Sequence, residues 1–160
     1  MPASETIYYS SSRLLKWSDF KGQPDQSSVA AAITASGFGY KADFKSSGGK
    51  AQLNVGVYCY FNKTGSWVKQ GKTTTYILNH EQQHFDISYI AAGIFFQKLK
   101  TCSITKDNYK TLLPKIYNDC VALMNKMQND YDSQTKNGQL KDEQAKWDAY
   151  IDKQLEQPTR

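Results

Sequence analysis

The chain is predicted to fold as an α+β protein: a small antiparallel sheet packed on one central helix, with two further helices closing the other side. Three observations carry this reading. Between residues 38 and 61 apolar side chains recur at every second position, the signature of half-buried strands. From Thr73 onwards the period becomes helical, in three successive stretches. The length of 160 residues suits a single domain, 1–160, with a substantial core.

The elements follow in order. Residues 1–12 and 157–160 are expected to be loosely ordered. "LLKWSDFKGQPD" (14–25) reads as an irregular lead-in anchored by aromatic side chains and turned at Gly-Gln-Pro. "AITASGFGYKADF" places Phe38, Tyr40, Ala42 and Phe44 on one side of a strand. "KSSGGK" is a turn, and "AQLNVGVYCYF" resumes the alternation, so the two strands form an antiparallel hairpin with one buried face. "NKTGSW" turns the chain into a short segment at "WVK". One of Thr73, Thr74 and Thr75 caps a helix that runs to about Lys100. That helix is apolar around much of its circumference (Ile77, Leu78, Phe85, Ile87, Ile90, Ile94, Phe95, Leu99), which places it at the centre of the fold. "TCSITKDN" breaks it. A second helix carries Tyr109, Leu113, Ile116, Cys120, Met124 and Tyr131 at helical spacing, with Pro114 either kinking it or lying in its first turn. "SQTKNGQL" is a loop, and a last amphipathic helix carries Leu140, Trp147, Ile151 and Leu155.

The formal charge is +5, but its lysines are scattered, with no arginine cluster or basic run. Such a surface lacks the concentrated footprint of a nucleic-acid binder, so no nucleic-acid partner is expected. The longest apolar run, "ISYIAAGIFF", is too short to cross a bilayer, so no membrane span is expected. "MPASETIYYSSS" lacks the basic start and apolar core of an export signal; the protein is cytosolic, or the numbering begins after a removed signal. The three cysteines form no C-x-x-C, although Cys102 and Cys120 flank a turn between helices and are placed to pair. The sequence does not specify an oligomeric state.

One stretch carries chemistry. In "YILNHEQQHFDI", His80, Glu81 and His84 spell H-E-x-x-H within the central helix. At about 100° per residue the two imidazoles stand within about 40° of each other, so both can bind one cation from the same side. Glu81 lies about 100° around, near enough to act on the cation's water without being a ligand, and zinc lowers the pKa of such a water to about 7. The pattern therefore points to Zn²⁺-assisted hydrolysis of a peptide or protein substrate, with Glu81 as general base. Burial supports it, because two histidines and a glutamate on a buried helix are costly without partners.

A third ligand must come from elsewhere, since no histidine remains. Asp86 is close in sequence but lies about 200° around from His84, so its carboxyl points away from the metal. It is expected to be a buried support residue, capping or pairing with a basic group behind the helix. Carboxylates at Asp107, Asp119, Asp130, Asp132, Asp142, Glu143 and Asp148 remain; those around "NDYDSQT" lie where a helix ends and the chain can return to the site. Tyr131 is a candidate oxyanion donor.

Taken together, "KWSDFKG" with a following proline, "SWVK", "ILNHEQQHFDI" and "MQNDYDSQTKNG…QAKW", in that order, resemble the bacterial zinc-dependent proteases of domain-of-unknown-function family 922. The likeness spans Trp17 to Trp147. It implies a zincin-like fold, peptidase activity and export to the periplasm, envelope or exterior. The family's late motif resembles Y-D-x-E-T-x-H-G, whereas this chain reads "YDSQTKNG": Tyr131, Asp132, Thr135 and Gly138 match, while Gln134 and Asn137 stand where an acid and a histidine are expected. If the family's third ligand is that histidine or that acid, this chain has lost it, and it would bind zinc weakly, use Asp132, or be a non-catalytic relative; Asp132, which survives and offers an oxygen donor, is the expected third ligand with His80 and His84. The departures also leave room for a non-catalytic binding or assembly module of the same fold, and the metal chemistry equally suits an amidase acting on cell-wall fragments.

Overall fold

The computed structural model describes residues 5–157 and is an α+β fold with three helices and two small antiparallel sheets. The strands are β1 (Thr6–Tyr8), β2 (Ala32–Ile33), β3 (Ser36–Ser47), β4 (Lys50–Asn62) and β5 (Trp67–Val68). The helices are α1 (Thr75–Thr101), α2 (Tyr109–Thr135) and α3 (Lys141–Leu155). The larger sheet has the order β1-β4-β3, and the smaller one pairs β2 with β5.

The expected hairpin is β3–β4. Its register pairs Phe38 with Cys59, Tyr40 with Val57, Ala42 with Val55 and Phe44 with Leu53, so the alternating apolar set lies on one face. Ser47 pairs with Lys50, leaving a two-residue turn of Gly48 and Gly49. Both have positive φ, +59° and +82°, which is the backbone a tight hairpin turn of matching twist requires.

That apolar face packs on α1. Phe38, Cys59 and Phe61 meet Phe85, Ala92 and Phe95 of α1 and Ile116 and Cys120 of α2 in the main core. A second cluster lies on the other side of α1, where Ile87 and Ile90 meet Tyr131 of α2 and Ile151 of α3. A helix packed on two sides needs apolar side chains around most of its circumference, as α1 has. Its N-terminus is capped by Thr74, whose hydroxyl accepts from the Ile77 N–H at 3.2 Å.

Several expectations are corrected. Part of the supposedly loose start is ordered: Thr6–Tyr8 pair with Tyr60–Asn62, and Ile7 is buried in the core. Residues 9–12 and 157 of the termini expected to be loose are described too, with Tyr9 N–H donating to the Cys59 carbonyl at 2.9 Å, whereas residues 1–4 and 158–160 lie outside the described residues. The strand predicted through "AITASGFGYKADF" is broken at Thr34 and Ala35, so Ala32–Ile33 leaves the main sheet and pairs with Trp67–Val68. Ala35 N–H donates to Ser66 Oγ at 2.9 Å and its carbonyl accepts from Asn62 N–H at 2.8 Å, which fixes this change of partner. Pro114 lies in the second turn of α2 rather than the first. The "SQTKNGQL" loop is shorter than expected because α2 continues to Thr135. Cys59, Cys102 and Cys120 are free, so the Cys102–Cys120 pairing is not made. Among the described residues no helix is long and apolar enough to cross a membrane.

Candidate metal centre

His80 and His84 share one face of α1, one turn apart, and α2 passes across that face. Both imidazoles aim Nε2 at one atom, Asp132 Oδ1, at 3.0 Å from His80 and 2.9 Å from His84. Glu81 is buried beside them, and His80, Glu81 and His84 present donor atoms within 4.8 Å of one another. The sequence placed His80, Glu81 and His84 together; the packing of α2 adds Asp132 from 48 residues beyond His84.

The opposite ring nitrogens are held by residues that the sequence reading missed. His80 Nδ1 lies 2.7 Å from Gln144 Oε1 of α3, and His84 Nδ1 contacts Gln128 Oε1 of α2. The amide orientations follow from their other bonds. Gln144 Nε2 shares its two hydrogens among three acceptors, Gln83 Oε1 at 2.8 Å, the Tyr131 hydroxyl at 2.9 Å and Asp148 Oδ1 at 2.9 Å. Gln128 Nε2 donates to the His84 carbonyl at 2.8 Å and Ser88 Oγ at 3.2 Å. With both amide nitrogens committed, a carbonyl oxygen faces each Nδ1, so each Nδ1 carries the hydrogen. Without a cation the hydrogen bond to Asp132 needs a hydrogen on Nε2 as well; a cation that displaces it meets the Nε2 lone pair of a neutral ring, beside the Asp132 carboxylate. Two Nε2 atoms within 3.0 Å of one carboxylate oxygen make a donor set that suits a divalent cation.

A signal for both glutamines exists in the sequence. Gln144 shares a helical stripe with Trp147, Ile151 and Leu155, and Gln128 shares one with Met124, Tyr131 and Thr135. A polar residue on a buried stripe requires a buried partner.

Electrostatics follow the same contacts. Burial alone would lower the His84 pKa, but its hydrogen bond to Asp132 and the Glu81 charge outweigh that and push it up to about 9. Burial would raise Asp132, yet the two imidazoles hold its carboxyl well below the usual carboxylate range. Burial pushes the Glu81 carboxyl up, against the pull of His84 and His80. Thr34, at the break between β2 and β3, donates its hydroxyl to Glu81 Oε1 at 2.8 Å and so fixes the carboxyl plane.

Two expected roles change. Tyr131 is not aimed at the site as an oxyanion donor: it is fully buried, and its hydroxyl lies 3.0 Å from the His80 carbonyl and 2.8 Å from Gln83 Oε1. Its ring stacks on His80 at 4.5 Å and stands edge-on to His84 at 4.9 Å, so it supports both imidazoles. Asp86 is a buried support residue behind the helix, but among the described residues no basic group pairs with it. Tyr9 donates to it at 2.9 Å and Gln82 at 3.0 Å, tying the N-terminal segment to the back of α1. Burial pushes its carboxyl up.

The positions where the chain departs from the late motif separate in space. Gln134 turns away from the site and accepts from Trp147 Nε1 at 2.9 Å. Asn137 lines the cavity, in a left-handed conformation with φ +55°. Gly138 follows with φ +86°; a Cβ there would stand 3.1 Å from His80 Nδ1. The turn after α2 thus closes directly on the first histidine, and Tyr76 of α1 donates its hydroxyl to the Gly138 carbonyl across the gap.

The cavity has a volume of about 350 Å³. Its floor is His80, Glu81, His84 and Asp132; its walls are Val29–Ala32, the connection from β5 to α1, and the turn after α2. Comparison of the chain with family models, with curated proteins and with solved structures finds no match.

Proposed function

We propose that the protein is a zinc-dependent peptidase of the H-E-x-x-H type, with His80, His84 and Asp132 holding the ion and Glu81 acting as general base. The observation that carries this is the convergence of two imidazole Nε2 atoms on Asp132 Oδ1, within 3.0 Å, beside a buried glutamate that faces a cavity. The resemblance to family 922 supports it, and a zincin-like relationship and export from the cytoplasm belong to the same proposal.

A divalent ion held there supplies Lewis-acid activation of water and of the scissile carbonyl. The chain's own residues do the rest. Glu81 takes up a proton at Oε2, the oxygen that Thr34 leaves free, and returns it to the leaving amine. Gln128 and Gln144 keep Nε2 of each imidazole directed at the ion. The Ala30–Ala32 segment lines the cavity, and the second edge of β2 has no strand partner among the described residues, so an extended peptide can pair with it.

The test is elemental analysis of the purified protein beside its His84→Ala variant, with peptide cleavage by the parent and by Glu81→Gln. Stoichiometric zinc in the parent, its loss in His84→Ala, and retained zinc without cleavage in Glu81→Gln are expected. Trace zinc in both proteins refutes the metal site. Zinc without cleavage of peptides or wall fragments supports a non-catalytic module, the reading that the amides at Gln134 and Asn137 favour.

A further inference from the structure

We propose that the cavity selects a substrate carrying a carboxylate next to the scissile bond, and that Lys69 and Lys72 are the groups that recognise it. This rests on the peptidase reading above and adds the substrate's charge to it.

Lys69 and Lys72 lie on the connection between β5 and α1 and both line the cavity. They belong to one tight turn, closed by the Lys72 N–H donating to the Lys69 carbonyl at 3.1 Å, with Gly71 at φ +81°. The turn therefore presents two ammonium groups on the same rim. Lys69 Nζ donates to the Ser28 carbonyl, which holds it against the Val29–Ala32 wall. Neither lysine is in a salt bridge with an acidic residue among the described residues.

The charges on the floor are already committed. Asp132 is engaged by both imidazoles, and Glu81 is fixed by Thr34. The two carboxylates balance the charge of one divalent ion, so the cavity lining holds no further counter-charge for the lysines; outside it, Asp25 interacts with Lys69. The opposite rim, Asn137 to Gln139, carries no charge. The rest of the wall near the lysines is apolar: Val29, the three alanines and Ile77. A concave site with a net positive rim concentrates anions and attracts them from solution. For a peptide, the fitting anion is a carboxylate, either an acidic side chain or a free C-terminus.

Binding separates this inference from the activity beneath it. In the zinc-loaded Glu81→Gln protein, whose lost carboxylate adds one positive charge to the floor and makes the Lys72 comparison in that background the deciding one, dissociation constants are measured by fluorescence anisotropy for three peptides of one sequence. The first has an internal glutamate and an amidated end, the second has glutamine in that place and an amidated end, and the third has glutamine and a free carboxylate. One of the two anionic peptides is expected to bind about tenfold more tightly than the neutral one, the order of two half-exposed charge contacts. Which one binds identifies the source of the carboxylate. Lys72→Glu, a change at an exposed turn position, should abolish or invert the preference, and Lys72→Met should reduce it. Raising the salt concentration should weaken the anionic peptide and leave the neutral one.

Equal binding of all three peptides, no binding of any, or a preference that survives Lys72→Glu overturns the inference. A parent protein that cleaves neutral and acidic peptides alike keeps the peptidase reading and loses this one. A parent that cleaves nothing, while the Lys72-dependent preference persists, does the reverse.

Discussion

Replacing Gln144 by leucine removes the acceptor that orients His80. The two side chains are close in size, so the change is chiefly electrostatic and leaves little cavity. Gln144 accepts from His80 Nδ1 and shares its two amide hydrogens among Gln83, Tyr131 and Asp148. After the substitution Tyr131 and Gln83 still bond each other at 2.8 Å. Asp148 lies in a half-buried position and can turn to water. The uncompensated group is the Nδ1–H of His80, a residue 4% exposed. A buried donor without a partner costs about 1–3 kcal/mol. Taking ~2 kcal/mol, the melting temperature of the metal-free protein should fall by roughly 4–8 °C at this chain length. Zinc affinity should fall about 10–100-fold, because the ring can now adopt the other tautomer and present Nδ1 instead of Nε2 as the lone-pair atom. Competitive titration against a chromophoric chelator reads the affinity, and thermal unfolding in excess chelator reads the stability separately. Gln144→Glu restores an acceptor for Nδ1–H while losing the donors, so it should hold zinc more tightly than the leucine variant. If the leucine variant is folded and its zinc affinity stays within about twofold of the parent, amide orientation is not what directs Nε2. The stacked Tyr131 ring would then be the controlling contact.

Gly138→Ala forces an L side chain into a positive-φ backbone, at about 1–2 kcal/mol, and sets its Cβ 3.1 Å from His80 Nδ1. Urea unfolding should show that loss of stability, together with weaker zinc binding; unchanged values of both would mean that the turn relaxes away from the site. In the chelated protein, the His84–Asp132 contact should make stability pH-dependent in two directions. His84, raised from 6.5 to about 9, contributes stability that is complete below pH 6.5 and is lost as pH rises through about 9. Asp132, depressed from 3.8, contributes stability that is present above that value and is lost as pH falls through its folded-state range. Denaturation midpoints in chelator should therefore be highest between about pH 4 and 6.5, and mutating Asp132 to asparagine should flatten the alkaline decline.

The parts of the fold legible in the sequence are those specified by local periodicity. The β3–β4 hairpin could be read because its alternation and its Gly48–Gly49 turn are both local signals. The limits of α1 could be read because Thr74 caps it and "TCSITKDN" ends it. The break at Thr34 could not, since no Gly, Pro or turn cluster marks it and only the side-chain bonds of Ser66 and Thr34 reveal the change of sheet. In the site, the H-E-x-x-H spacing states its own geometry, because both imidazoles lie on one helix. Asp132 depends on how α2 crosses α1, which no local pattern states. Gln128 and Gln144 were harder still, since an amide on a helix ordinarily faces solvent. Tyr131, a candidate oxyanion donor from its place beside Asp132, points its hydroxyl into the core toward Gln83 and Gln144, an orientation that α3 completes.

The choice of amides behind the imidazoles bears on the charge of the whole site. A carboxylate at each Nδ1 would orient the rings equally well and raise their basicity. Together with Glu81 and Asp132 it would also place four negative charges around one divalent ion, in a region where unbalanced charge is expensive. Gln128 and Gln144 fix the same tautomer with no charge, so Glu81 and Asp132 alone balance the ion. The ammonium groups of Lys69 and Lys72 then have no counter-charge within the cavity, and an anionic substrate is what completes it. Converting both glutamines to glutamates should therefore keep the rings oriented yet weaken binding of the acidic peptide more than that of the neutral one. An equal effect on both peptides would mean that the floor and the rim do not share one electrostatic field.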